Sequence, residues 1–207
     1  MKTKSLFFSM LLAATTFTFI QCGGNKKEET PAEQAPVTEQ EHASGSTATA
    51  EAAEPLFTVD TQFQQQLAGV FKSYVSLKET LVQSESVKVS AAATATLASL
   101  ASTDMKLLSG AAHNDWMNYS AGIESSLKAI VASTDIEEQR LSFSSLTENL
   151  YKSIKAYGLG GTQAYYEFCP MAFDNQGGFW LSDAAEIRNP YFGDKMLTCG
   201  EVREKLK

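Results

Sequence analysis

The chain has 207 residues, with 24 acidic residues against 17 basic ones and a formal charge of −7 at neutral pH. That acid excess argues against nucleic acid as a partner, because phosphate binding needs a basic surface. Two histidines and three cysteines also leave no nucleophile and base pair to assign.

The N-terminus reads as an export signal. Lys2 and Lys4 precede an apolar run from Leu6 to Ile20, which is shorter than the roughly 18 to 20 residues a spanning helix needs, and Cys22 follows, backed by Gly23 and Gly24. A cysteine in that place predicts a lipoprotein: residues 1–21 are removed and Cys22 carries the lipid. Gln21 is bulkier than the small residue usual before a lipidated cysteine, so plain cleavage to a secreted soluble protein is the alternative. Loss of Lys2 and Lys4 takes the formal charge from −7 to −9. The expected location is the cell envelope, periplasmic or on the outer-membrane surface, with the membrane reached through the lipid.

Residues 22–55 are Glu, Ala, Thr, Gln, Ser and Pro with almost nothing aliphatic larger than Val37. Such a segment buries too little apolar area to offset its chain entropy, and it reads as a flexible tether.

From there to residue 161 the apolar period is helical. Phe63, Leu67, Val70, Tyr74, Leu77 and Leu81 recur at steps of four and three, which draws one stripe on one helix face. A second, Ala- and Ser-rich helix is predicted over about 86–105, with Val87, Leu97, Leu100 and Met105 as its stripe. A third is predicted to start near Asn114 after a turn at Ser109, Gly110 and Ala111, carrying Trp116, Tyr119, Ile123, Leu127 and Ile130. A fourth opens with Thr134 and Glu137 at capping-box spacing, continues through Ile136, Phe143, Leu146, Leu150, Ile154 and Tyr157, and stops at Gly158, Gly160 and Gly161. Four helices with short connections predict a mainly α fold, an up-down four-helix bundle over residues 56–161.

Residues 162–207 change character, being aromatic, Gly- and Pro-containing and home to the other two cysteines. They predict a cap of irregular or short-strand structure: an extended piece at "AYYEFC", a turn over 175–178, a second extended piece at "FWLS" and a helical turn over 182–187. Tyr165, Tyr166, Phe168, Phe173, Phe179, Trp180, Tyr191 and Phe192 imply substantial burial there.

The catalytic signatures are missing. There is no Gly-x-Ser-x-Gly, His-Glu-x-x-His, Walker loop or Cys-x-x-Cys, and "GLGG" follows a helix rather than a strand, so the chain is not expected to be an enzyme. Chemistry is concentrated in "CPMAF" and "MLTC", which supply the thiols Cys169 and Cys199 and the thioethers Met171 and Met196. Soft sulfur donors favour Cu(I) or Ag(I) over magnesium, calcium or manganese, and methionine is not a structural zinc ligand. His113 could add a nitrogen only where the fold brings it near. Three states of the cysteines stay open: a Cys169–Cys199 disulfide with the methionines as core filler, metal thiolates, or unpaired buried thiols.

"YYEFCPMAFDNQGGFWLS" and "EIRNPYFGDKMLTCGEV" resemble the C-terminal signature of a DUF3347-like domain, a domain of unknown function of Bacteroidota lipoproteins that is also found fused to adaptor subunits of copper and silver efflux pumps. "DIEEQRLSFSSLTENL" is similar in its helical part, with Arg140, Phe143 and Leu146 at the matching positions, and together the likeness covers most of residues 60–207. The resemblance implies an extracytoplasmic module connected with heavy-metal resistance, with Cys169, Met171, Met196 and Cys199 as copper or silver ligands and an efflux or other envelope protein as partner. The adaptor itself is lacking, which points to a free-standing metal-binding or docking lipoprotein. The other class of function is a noncatalytic interaction module whose cysteines form a structural disulfide.

Overall fold

The computed structural model describes residues 54–207. The expected leader (1–21), the expected lipidation site Cys22 and most of the expected tether (22–55) lie outside the described residues.

Four long helices carry the predicted stripes: α1 (Thr61–Val82), α2 (Ser86–Ala101), α3 (Gly110–Ala132) and α4 (Ile136–Tyr157). Each packs chiefly on its neighbour in the chain, α1 on α2, α2 on α3 and α3 on α4. Every stripe residue of α1 is fully buried, as are Ile123, Leu127 and Ile130 of α3 and Phe143, Leu146 and Leu150 of α4. At one end Phe63, Trp116 and Tyr157 meet edge to face, with ring centroids 5.1 to 6.0 Å apart.

The helices differ from expectation in four places. α2 stops at Ala101, and Met105 opens a separate short 3-10 turn, 42% exposed. Val87 is 81% exposed, because the buried face of α2 runs instead through Val89, Ala93, Thr96 and Leu100. α3 starts at Gly110, with Ser109 rather than Asn114 at its cap position, so the expected turn is already the first helical turn. The cap of α4 is Asp135, whose carboxylate accepts the N–H groups of Glu137 and Glu138; a carboxylate facing the positive helix start serves better there than the Thr134 hydroxyl. Gly158 ends α4 as expected, at φ +72°.

The last 44 residues form a small antiparallel sheet ordered β2-β1-β3 from β1 (Ala164–Cys169), β2 (Gly178–Ser182) and β3 (Glu201–Leu206). "AYYEFC" and "FWLS" are strands as expected, whereas residues 183–186 are bends rather than a helical turn. β3 escaped the sequence reading because "EVREKL" alternates charges, which suits an exposed sheet edge and hides the period of two. The sheet lies across α1 and α4. The backbone N–H of Leu181 donates to the Tyr74 hydroxyl at 3.1 Å, Lys78 donates to Ser182 at 3.1 Å, and the Tyr151 ring stacks on Tyr166 at 4.0 Å. Of the cap aromatics only Trp180 and Tyr191 are fully inside; Tyr165, Tyr166, Phe168, Phe173 and Phe192 are half-buried and Phe179 is exposed.

Candidate functional site

Cys169 is the last residue of β1 and is fully buried, and Cys199 precedes the glycine that leads into β3. Because β3 pairs with β1, the two cysteines arrive side by side. Their Sγ atoms lie 2.6 Å apart as thiols. That is well inside the distance unbonded sulfurs keep and close to the roughly 2.05 Å of a disulfide. Burial and then the neighbouring Cys169 push the Cys199 thiol up to about 11, so it carries almost no thiolate at neutral pH. A nucleophilic or redox-catalytic cysteine has the opposite character.

Asn189 fixes the second half of this pair. Fully buried, it donates from Nδ2 to the Cys199 carbonyl at 2.8 Å and accepts the Tyr191 N–H on Oδ1 at 2.8 Å, while its own N–H donates to the Leu197 carbonyl. Tyr191 in turn donates its hydroxyl to the Phe179 carbonyl of β2. Gly193 follows at φ +56°, and a Cβ there would meet the Val82 carbonyl at 2.7 Å. "NPYFG" is thus scaffold: it clips the loop before β3 onto the end of α1.

Met171 and Met196 flank the cysteines in sequence and line one groove of about 520 Å³, to which Glu137, Arg140 and Leu141 of α4 and Phe173, Asp174, Tyr191 and Phe192 of the cap contribute. Met171 is 46% exposed and Met196 half-buried. Neither cysteine lines this groove. The chain between Met171 and β2 makes a turn in which Phe173, Asp174 and Asn175 all sit in the left-handed region, at φ 53°, 55° and 66°.

His113 lies elsewhere. It stands in the first turn of α3 beside Ala112, whose carbonyl accepts the hydroxyl of Tyr157 at the end of α4. The groove is lined by the opening turns of α4. At 1.5 Å per residue those two places on α4 are roughly 25 Å apart, so His113 is not brought to the sulfurs. Among the described residues no group of three His, Cys, Asp or Glu side chains is placed to hold an ion, and no helix is long and apolar enough to cross a membrane.

The sequence reading missed a buried charged cluster beneath the same sheet. Lys78 of α1 is 1% exposed, pairs with Glu79 at 2.9 Å and donates to Ser182; Glu79 also holds Arg188 at 2.9 Å. Glu167 of β1 is fully buried, and neither carboxylate oxygen has a hydrogen-bond partner among the described residues. Burial raises its pKa to about 7, against the pull of Lys78 and Trp180. A lysine at the edge of an apolar stripe and a glutamate between aromatics were the only signals.

The described chain is thus a mainly helical protein with a small antiparallel sheet as its cap. Residues 70–162 match the family model described as "Protein of unknown function (DUF3347)". The match takes in most of α1 through α4 and ends just before β1, leaving both sulfur segments beyond it. No curated protein and no solved structure matches the chain.

Proposed function

We propose that this is a noncatalytic, lipid-anchored protein of the cell envelope whose C-terminal cap binds or buffers Cu(I) or Ag(I) through sulfur. One observation carries it: two thiols from segments 30 residues apart meet at 2.6 Å, and each has a thioether within three residues of it in the chain. Soft monovalent ions are what such donors select. The helices, neighbours in chain order with short connections, are taken as an up-down four-helix bundle that supports this cap. The anchor rests on Cys22, and the link to efflux or another envelope partner rests on the resemblance of the sulfur segments alone.

With metal–sulfur bonds of about 2.3 Å, two thiolates on one ion stand about 4 Å apart, so binding must part the pair by more than 1 Å and release its protons. The test is a competition titration of reduced protein against a chromophoric Cu(I) chelator. Reduced wild type should take the metal, Cys169→Ser with Cys199→Ser should lose most of the affinity, and Met171→Leu with Met196→Leu should lose less. Equal affinity in all three removes the thiol site. Separately, Cys22→Ser should abolish membrane fractionation, and unchanged retention would remove the anchor.

The 2.6 Å contact favours a second reading, an interaction module whose cap is closed by a structural disulfide. A protein purified without reductant that yields no free thiol until unfolded and reduced would favour it, and would confine any thiolate site to a reduced form.

A further inference from the structure

We propose that Met171 and Met196 form a second soft-metal site, a thioether groove that takes Ag(I) or Cu(I) while Cys169 and Cys199 are joined as a disulfide. The inference rests on the cap being a soft-metal binder, but on different atoms from the thiol pair.

Geometry separates the two sets of sulfurs. Both methionines line the groove and neither cysteine does, and Met171 is 46% exposed where Cys169 is fully buried. Chemistry separates them as well. A thiol must lose a proton to bind metal and ceases to be a donor once oxidised to a disulfide, whereas a thioether is neutral and binds in either state. In an oxidising compartment the thioethers are therefore the donors that persist.

The groove suits a soft cation in its other walls too. Phe173 and Tyr191, with centroids 4.9 Å apart, and Phe192 offer aromatic rings, and Asp174 adds a carboxylate. The opposing charge is Arg140, but it is already engaged: it meets Glu137 at 2.6 Å, the Pro190 carbonyl at 2.9 Å and Ser84 at 2.9 Å. The turn at Phe173–Asn175 holds three side-chain-bearing residues in the left-handed region, and such strain persists where the surroundings demand it, often at ligand sites. Here it delivers Phe173, Asp174 and Asn175 to the same groove as Met171, held by the Gly177 N–H on the Ala172 carbonyl at 2.9 Å.

The experiment uses full-length protein oxidised until no thiol is titratable, then dialysed against silver nitrate in chloride-free buffer with bound silver measured by mass spectrometry. One Ag(I) per chain is expected. Met171→Leu with Met196→Leu should weaken binding at least tenfold, and Met105→Leu, at an exposed methionine that does not line the groove, should leave it unchanged. Should the double methionine variant misfold, Met171→Leu alone, at an exposed position, should still weaken binding. No silver on oxidised wild type, or equal binding by the methionine variants, overturns the proposal. Loss of the thiol site in the Cu(I) titration with silver binding retained here would instead leave the groove standing alone.

Discussion

Tyr74 and Thr147 share a hydrogen bond of 2.7 Å across the seam between α1 and α4, and the bond is one link in a longer chain. Leu181 of β2 donates its N–H to the Tyr74 oxygen, Tyr74 donates to Thr147, and Thr147 donates to the Phe143 carbonyl. One phenol thereby joins both helices to the sheet. Tyr74→Phe would orphan the Leu181 N–H inside the protein and should cost about 1 to 3 kcal/mol in denaturant unfolding. A loss of only a few tenths would mean that the cap is not held through this contact.

Phe143 sits beside that relay, fully buried and stacked on Tyr74 with centroids 4.9 Å apart. Phe143→Ala should cost on the order of 3 to 5 kcal/mol. Chemical denaturation of the variant gives the number, and near-wild-type stability would put the ring outside the core.

The helical half was legible because Phe63 to Leu81 and Phe143 to Tyr157 repeat with one helix face, and the strands "AYYEFC" and "FWLS" because extended aromatic runs have few other uses. Val87 misled because α2 is so rich in alanine that its stripe can be drawn on more than one face. The meeting of Cys169 with Cys199 was open in the sequence as one of three states. It becomes specific only through the pairing of β3 with β1, and β3 is the strand whose charges conceal it. The separation of methionines from cysteines was not legible at all, since in the chain each methionine lies within three residues of a cysteine.

Glu167 gives a pH signature. Its carboxyl is raised from an ordinary 4.5 to about 7, first by burial, with Lys78 and Trp180 pulling the other way and Asp183 and Glu79 adding to the rise. Between these values the folded protein holds a proton that the unfolded chain has released. This group's contribution is therefore full below about 4.5 and is lost as pH rises through 7. Wild-type stability should fall across that window by on the order of 1 to 3 kcal/mol from this source. Glu79 has the opposite sign: burial opposes ionisation, but Arg188 and Lys78 outweigh it and hold its pKa low, so its contribution is lost only toward acid. Glu167→Gln should flatten the slope between pH 5 and 7.5 whatever it does to absolute stability. An unchanged slope would mean that another group titrates there.

Asn189 offers the most direct hold on the thiol pair without touching a sulfur. Its side chain supplies two of the hydrogen bonds that set the loop before β3, one to the Cys199 carbonyl and one from the Tyr191 N–H, both at 2.8 Å and in the fully buried interior. Asn189→Ala leaves that carbonyl and that N–H without partners, so the oxidised protein should lose about 1 to 3 kcal/mol of stability. The same change frees Cys199 to wander from Cys169, which lowers the effective concentration of one thiol at the other. Equilibrated in a glutathione buffer, the variant should therefore lie further toward the dithiol than wild type. Silver binding by its oxidised form should persist, because Met171 and Met196 keep their places on the groove. An unaltered thiol–disulfide equilibrium would show that the strand pairing of β1 with β3 alone brings the sulfurs together and that Asn189 contributes only to folding.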